Sequence, residues 1–318
     1  MEHRALGRSG VDVSRIILGC GNFGGIGSSP SLFGAGETED EAHALLDAAW
    51  EAGITTYDTA DAYGGGRSES YLGSWLRAKG ADVRDRIVLT TKTFNPMSEG
   101  ADSGLDPARI RRQLATSLER LGVNSVDLYL PHAMDTATPV AETIGVFEEL
   151  VAAGTIRAYG GSNVDAAWLE EALQHGRPTW VQNAQSLLER DDETGVLRVV
   201  AREGLGYTPF SPLAGGWLTG KYRRDAEPPA GSRMALRPEP YRHLQQERVY
   251  DALEAFEVRA RERGTTPAAL AIAWLLGHSH VTAVVVGPRR PDQLGPALEA
   301  LDVDLSPPEH EQIGALFA

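Results

Sequence analysis

The sequence predicts an α/β chain closed into a (β/α)8 TIM barrel, with an N-terminal hairpin, long rim loops and extra helices added to the eight units. Three observations predict it. Eight short apolar runs of strand character alternate with helical patterns along nearly the whole chain, and that alternation means right-handed crossovers and a parallel sheet. Asp58, Tyr63, Lys92 and His132 each lie at or just beyond the C-terminal end of such a run, which in a barrel is the catalytic rim. A length of 318 residues suits one barrel domain over 1–318 with a full core.

The elements follow in order. Residues 3–14 are expected to form a hairpin sealing the barrel bottom. The first strand run is 15–18, and a glycine- and serine-rich loop, 21–36, follows it. A helix over 39–51 carries Ala42, Leu45, Leu46 and Ala49 on one face, with Thr38 or Asp40 as its cap. Strand 55–58 leads to helix 69–79, and strand 87–91 to helix 106–121. That last helix opens on Asp106 as cap and Pro107 at the first helical position. Strand 126–130 and helix 140–153 come next, with Gly154 as a stop. Strand 158–161 precedes helix 165–175, ended by Gly176. Strand 180–183, helix 195–203 and strand 206–208 continue the pattern. Residues 223–240 hold Pro228, Pro229, Pro238 and Pro240 without periodicity, a second long rim loop of the kind that forms lids. An added helix over 241–263, helix 266–276, strand 282–286 and a terminal helix over 308–317 complete the chain.

Composition narrows the function classes. Hydrophobic content of 42% and charged content of 23% are ordinary for a globular protein. A net charge of −14 argues against a general binder of nucleic acid or anionic membrane, while leaving room for a local basic pocket. No apolar run approaches the roughly 20 residues of a transmembrane helix. Met1-Glu2-His3-Arg4 lacks the apolar core of a secretory signal. Cys20 stands alone, which excludes an intramolecular disulfide and suits a reducing compartment. We read it as a packed residue rather than a nucleophile, and expect a cytoplasmic protein.

Two motifs are set aside. Gly19-Cys20-Gly21-Asn22-Phe23-Gly24 fits the dinucleotide fingerprint, but the next helix starts only near Thr38 instead of at the glycines. The run 215–221 resembles a phosphate loop, yet Tyr222 stands where a serine or threonine should hold a metal ion. No residues have metal-ligand spacing; His278 and His280 lack a third ligand, so no metal is expected.

The run Asp58-Thr59-Ala60-Asp61-Ala62-Tyr63-Gly64 puts a carboxylate and a phenol within one short turn. A phenol, with a reference pKa of about 10, becomes a useful proton donor when a nearby cation lowers that value. Thr91-Lys92 offers the cation at the end of the next strand, and Pro131-His132 a polar partner at the end of the one after. A lysine ending a barrel strand points into the mouth, where an isolated charge is costly; Asp58 supplies its partner.

The order Asp-Tyr-Lys-His, with these neighbours, resembles the aldo-keto reductase superfamily, both its bacterial members and its branch of potassium-channel β subunits. Further matches are Gly160-Gly161-Ser162-Asn163, Gln182, the run 211–216, Gly220-Lys221-Tyr222, and Gly287 with Gln293-Leu294. The resemblance implies NADPH-dependent reduction of a small aldehyde or ketone. Tyr63 would donate the proton, Lys92 and Asp58 would lower its pKa, and His132 would orient the carbonyl. For the cofactor, NADP(H), it implies Gly21, Asn22 and Asp58 as contacts, with Ser162, Asn163 and Gln182 on the carboxamide. Phe210 stands where the family stacks Tyr or Trp on the nicotinamide ring. Ser211, Leu213, Gly215 and Lys221 would follow the pyrophosphate, clamped by Arg233, and Pro212 belongs to the cofactor-binding set. Gly287, Arg289 and Gln293 belong to the same cofactor set, with Arg289 and Gln293 at the adenosine end and Arg289 expected to meet the 2′-phosphate. Pro296-Ala297 replace a usual Glu-Asn pair, and Gln185-Ser186 a usual aromatic-Asn pair. The retained His132 favours carbonyl over double-bond reduction, since the family's steroid double-bond reductases carry glutamate there. A cofactor-binding regulatory subunit of the same fold is the other reading.

Overall fold

The structure, a computed structural model, describes residues 1–318. Short apolar runs become strands because both of their faces are covered. One face meets the barrel interior and the other meets helices, so polar residues are scarce until the C-terminal ends. After an antiparallel hairpin of β1 (His3–Ala5) and β2 (Asp12–Ser14), the barrel strands are β3 (Ile16–Gly19), β4 (Thr56–Asp58), β5 (Val88–Thr93), β6 (Val126–Pro131), β7 (Ile156–Tyr159), β8 (Gly161–Ser162), β9 (Trp180–Gln182), β10 (Gly206–Tyr207) and β11 (Val284–Val286). Parallel pairing runs β11-β3-β4-β5-β6-β7 and β8-β9-β10. Backbone bonds join the two sets. Thr179 N donates to Tyr159 O at 2.9 Å, Thr282 N to Tyr207 O at 2.8 Å, and Val285 N to Pro209 O at 2.9 Å. The ring of the expected (β/α)8 barrel is thereby complete.

Two apolar layers hold the barrel together. The interior is filled by Ile17, Val88, Leu128, Leu130, Ala158, Trp180, Ala283 and Val285, and the hairpin plugs its bottom with Leu6, Val11 and Val13. A larger layer between strands and helices runs from Ile16 to Ile313. The helix Glu39–Glu51 buries Ala42, Leu45, Leu46 and Ala49, the expected face, and Thr38 caps it in a reciprocal box with Glu41. Asp106 caps the helix Pro107–Leu121 by accepting from Ala108 N and Arg109 N.

Four places differ from the expectation. The fifth strand splits into β7 and β8 around Gly160, where an added Cβ would lie 2.0 Å from the Trp180 carbonyl oxygen; the close approach of backbone to Trp180 interrupts the ladder. The helix expected over 241–263 is two pieces, a 3-10 turn at Glu239–Leu244 and a helix at Glu247–Glu262. Between them Gln246 is extended. The eighth crossover, for which the sequence pattern showed no helix, is built from 3-10 turns at Pro291–Leu294 and Ala300–Asp302 around the short helix Gly295–Glu299. Pro291, Gly295 and Pro296 disguise it as a loop. The second rim loop contains a short helix, Arg233–Leu236. Cys20 is fully buried, a packed residue as read. No helix is long and apolar enough to cross a membrane.

Candidate active site

Alternation along the strands decides which side chains enter the barrel mouth, because every second residue faces inward. Val88 and Leu128 face the interior, so Lys92 and His132, four residues on, face it as well at the open end. Trp180 does the same for Gln182, and Val285 for Gly287. Asp58 ends β4 opposite Thr90, and Lys92 lies opposite Leu130.

These side chains meet. Lys92 Nζ donates to Asp58 Oδ2 at 2.6 Å and to the Thr59 carbonyl oxygen at 2.9 Å. It also reaches Tyr63 Oη at 3.5 Å. Tyr63 Oη lies 3.4 Å from His132 Nε2, and the two rings meet edge to face at 5.3 Å between centroids. Gln182 Nε2 donates to the second Asp58 oxygen, Oδ1, at 3.1 Å. Lys92 is 1% exposed and Asp58 3%, so the ion pair is held away from water.

Burial governs the proton affinities. It works against the Lys92 ammonium, but Asp58 and Tyr63 more than offset it, and the lysine value ends above its ordinary one. His132 is pushed well below its usual range, first by burial and then by Lys92. It is therefore neutral, and the Asn95 amide nitrogen, 3.1 Å from Nδ1, assigns its one proton to Nε2 on the Tyr63 side. Tyr63 itself ends above its ordinary value. Burial raises it, Lys92 pulls it back, and the Asp58 carboxylate raises it again. The expectation that Asp58 lowers the phenol's pKa is thus corrected: only Lys92 acts in that direction, and a negative charge nearby must oppose ionisation.

The turn carrying Tyr63 is unusual. It is a 3-10 turn, Tyr63–Gly66, whose three glycines all have positive φ. At Gly64, φ is 58°, and an added Cβ would lie 2.5 Å from the Phe23 carbonyl oxygen in the first rim loop. Behind the turn Asp61 and Glu69 are buried. Thr93 Oγ1 donates to Asp61 Oδ2 at 2.8 Å, and Arg120 Nη1 bridges the Asp61 carbonyl oxygen at 3.2 Å and Glu69 Oε2 at 3.1 Å. Gly64→Ala is therefore expected to lower stability by more than about 1 kcal/mol, since a left-handed residue and a clash combine. A thermal melt checks this; an unchanged melting temperature would mean that the turn is not pinned by Phe23.

A second group of residues lines the rim beside this cluster. Phe210 is half-buried and packs on the interior layer. Asn163, at φ 53°, donates to the His132 carbonyl oxygen at 2.8 Å and to Ser162 Oγ at 3.3 Å. Ser211 and Ala214 have φ of 57° and 45°; such strain in non-glycine residues gathers at ligand clamps. Pro212 is buried between them, and Leu213 and Gly215 continue the loop. Lys221 is exposed and forms no ion pair. Further round, Asn22 Nδ2 donates to the Gly287 carbonyl oxygen at 3.4 Å, while Arg233 Nη2 donates to Asn22 Oδ1. Arg289 N donates to Gln293 Oε1 at 2.7 Å. Gly21 presses close to the ring of Tyr63; a Cβ there would come within 3.5 Å of it.

The set fits a dinucleotide. A flat aromatic face, amide and hydroxyl groups at its edge, a strained loop and then three cations, Lys221, Arg233 and Arg289, follow one another around the rim. Gln182 keeps its amide oxygen unbonded, an acceptor suited to a carboxamide. Two neighbours escaped the sequence reading. Asn95, which orients His132, lies three residues past Lys92 in a polar turn before Pro96, and that position was the available signal. Glu37, which pairs with Arg289 at 2.5 Å between Oε1 and Nε, lies 252 residues away from it in sequence, and no local pattern marks it.

Comparison with known proteins shows the family. The sequence model described as the Aldo/keto reductase family matches residues 15–317. An oxidoreductase of Bacillus subtilis (strain 168), YrpG, is 35% identical, covering 96% of this chain and 92% of its own length. The NADH-specific methylglyoxal reductase of Escherichia coli (strain K12) is 32% identical, over 96% of this chain and 95% of its own. A probable voltage-gated potassium channel subunit beta from Oryza sativa subsp. japonica is 33% identical, over 95% and 92%.

Proposed function

The chain belongs to the aldo/keto reductase family, and from that premise we propose that it reduces a small aldehyde or ketone to an alcohol, with NADPH as reductant and Tyr63 as proton donor. It acts as one barrel domain over 1–318, in a reducing compartment such as the cytoplasm, which suits the free thiol of Cys20. The observation that carries the reading is the cluster in which Lys92 touches both Asp58 and Tyr63 while Tyr63 faces His132. A bound nicotinamide supplies the hydride. The protein's own groups do the rest. His132, neutral and protonated on Nε2, and the Tyr63 hydroxyl present two protons to one carbonyl oxygen. As the alkoxide forms, Tyr63 gives up its proton, and the phenolate left behind faces the Lys92 ammonium, a charge placed before the reaction starts. Asp58 and the Thr59 carbonyl hold that ammonium still.

Phe210, Ser162, Asn163 and Gln182 are assigned to the nicotinamide and its carboxamide. Gly21, Asn22, Ser211, Leu213, Gly215, Lys221 and Arg233 are assigned to the pyrophosphate side, and Gly287, Arg289 and Gln293 to the adenosine. Cofactor oxidation followed with a panel of carbonyls tests the function. The panel should hold small aromatic aldehydes, keto sugars and, given the name of the E. coli relative, methylglyoxal. At least one should be turned over. Tight cofactor binding with no turnover of any carbonyl would overturn the reductase reading and favour a regulatory subunit of the same fold; the relative from Oryza sativa subsp. japonica is named as a probable potassium channel subunit.

A further inference from the structure

Glu37 ends the first rim loop, and its backbone is fixed there. Its N–H donates to the Asn22 carbonyl oxygen at 2.9 Å, and its carbonyl accepts from Gly24 N at 2.8 Å. Its side chain is 4% exposed. Oε1 takes the Arg289 guanidinium through Nε at 2.5 Å, and Oε2 is buried with no partner. A half-satisfied carboxylate in the interior is costly, and burial raises its pKa while Arg289 pulls it down. Arg289 is further engaged through Nη1, which donates to the Gly231 carbonyl oxygen at 3.3 Å. Its neighbour Arg290 is no substitute, since both of its contacts, at 3.1 Å, go to Asp292.

A 2′-phosphate is recognised by a guanidinium fork free to donate two hydrogen bonds to its oxygens. Here the Nε side of that fork is already given to a carboxylate, and the same carboxylate repels a phosphate that approaches. A ribose 2′-hydroxyl meets neither difficulty. It carries no charge and can donate to an acceptor. We propose that Glu37 is a specificity-determining residue that withholds Arg289 from the 2′-phosphate and so narrows the preference for NADPH over NADH. This rests on the reading that the rim binds a nicotinamide dinucleotide with its adenosine end at Arg289.

Fluorescence titrations of NADPH and NADH against the wild type, Glu37→Gln, Arg289→Ala and the double variant test it. Glu37→Gln keeps the shape and one acceptor while removing the charge. It should tighten NADPH on the order of tenfold, the weight of one charge-assisted hydrogen bond, and leave NADH unchanged or weaker. In the Arg289→Ala background the gain should shrink, because only the carboxylate's own repulsion is relieved and no guanidinium is released. Glu37→Asp, which shortens the carboxylate's reach, should shift the ratio in the same direction and guards against a misfolded glutamine variant. An equal shift for both dinucleotides, or a gain undiminished by Arg289→Ala, would overturn the role of Glu37. Failure of the wild type to bind either dinucleotide would instead overturn the cofactor reading on which it rests.

Discussion

Tyr63→Phe is expected to lower turnover of the best carbonyl substrate by at least about 100-fold, the scale of a lost general acid, with cofactor affinity little changed. The variant removes one oxygen and keeps the ring. The edge contact with His132 and the packing against Gly21 and the first rim loop need nothing from the hydroxyl. Lys92 retains Asp58 and the Thr59 carbonyl oxygen, so the ion pair survives. What is lost is the only hydroxyl that faces both the Lys92 ammonium and His132 Nε2. Steady-state kinetics with a parallel cofactor titration separates the two effects. A variant that reduced its best aldehyde at the wild-type rate would show that the proton comes from elsewhere.

Lys92→Met should be costly in two ways. Removing one member of a buried ion pair strands the other, at about 3–5 kcal/mol, and Asp58 would keep only the Gln182 amide as a direct partner. For a chain of 318 residues that is a fall of roughly 4–8 °C in Tm. Catalysis should fall as well, because the one group that pulls the Tyr63 phenol down is Lys92. Adding Asp58→Asn removes the stranded charge. The double variant should recover much of the stability and none of the activity, a split that a merely structural lysine would not produce. The sign with pH follows from the raised folded value of Lys92. Its contribution to stability is complete below the unfolded value of about 10.4 and is lost as pH climbs through the folded one. The neutral domain of His132 is opposite: its depressed value gives stability present above about 6.5 and lost as pH falls. An alcohol-oxidation pH profile of Lys92→Met identical to the wild type would sink the coupling of Lys92 to Tyr63.

The chain's own order made much of the barrel readable. Strand runs such as 126–130 and helix faces such as Ala42, Leu45, Leu46 and Ala49 are local signals, set by periodicity over a few residues, and they came through within a residue or two. The split at Gly160 did not, because its cause is the Trp180 backbone on the neighbouring strand. The eighth crossover stayed hidden because Pro291, Gly295 and Pro296 suppress the helical pattern while packing still selects a helix at Gly295–Glu299.

The same division runs through the site. Asp58, Lys92 and His132 were legible because strand ends place them, and strand ends are written locally in the order of residues; Gln182 was singled out by the family resemblance alone. Tyr63 was legible because it shares one short turn with Asp58 just past a strand run. Whether those groups touch, and with what sign, was left to the tertiary structure. Burial raises the Tyr63 phenol although a cation lies beside it, and desolvation depends on everything packed around a group rather than on its neighbours in the chain. Glu37 and Arg289 show the limit most plainly. Neither residue carries a signal of the other across the chain, and only the closing of the barrel, which brings the exit of β3 beside the exit of β11, puts a carboxylate against the arginine.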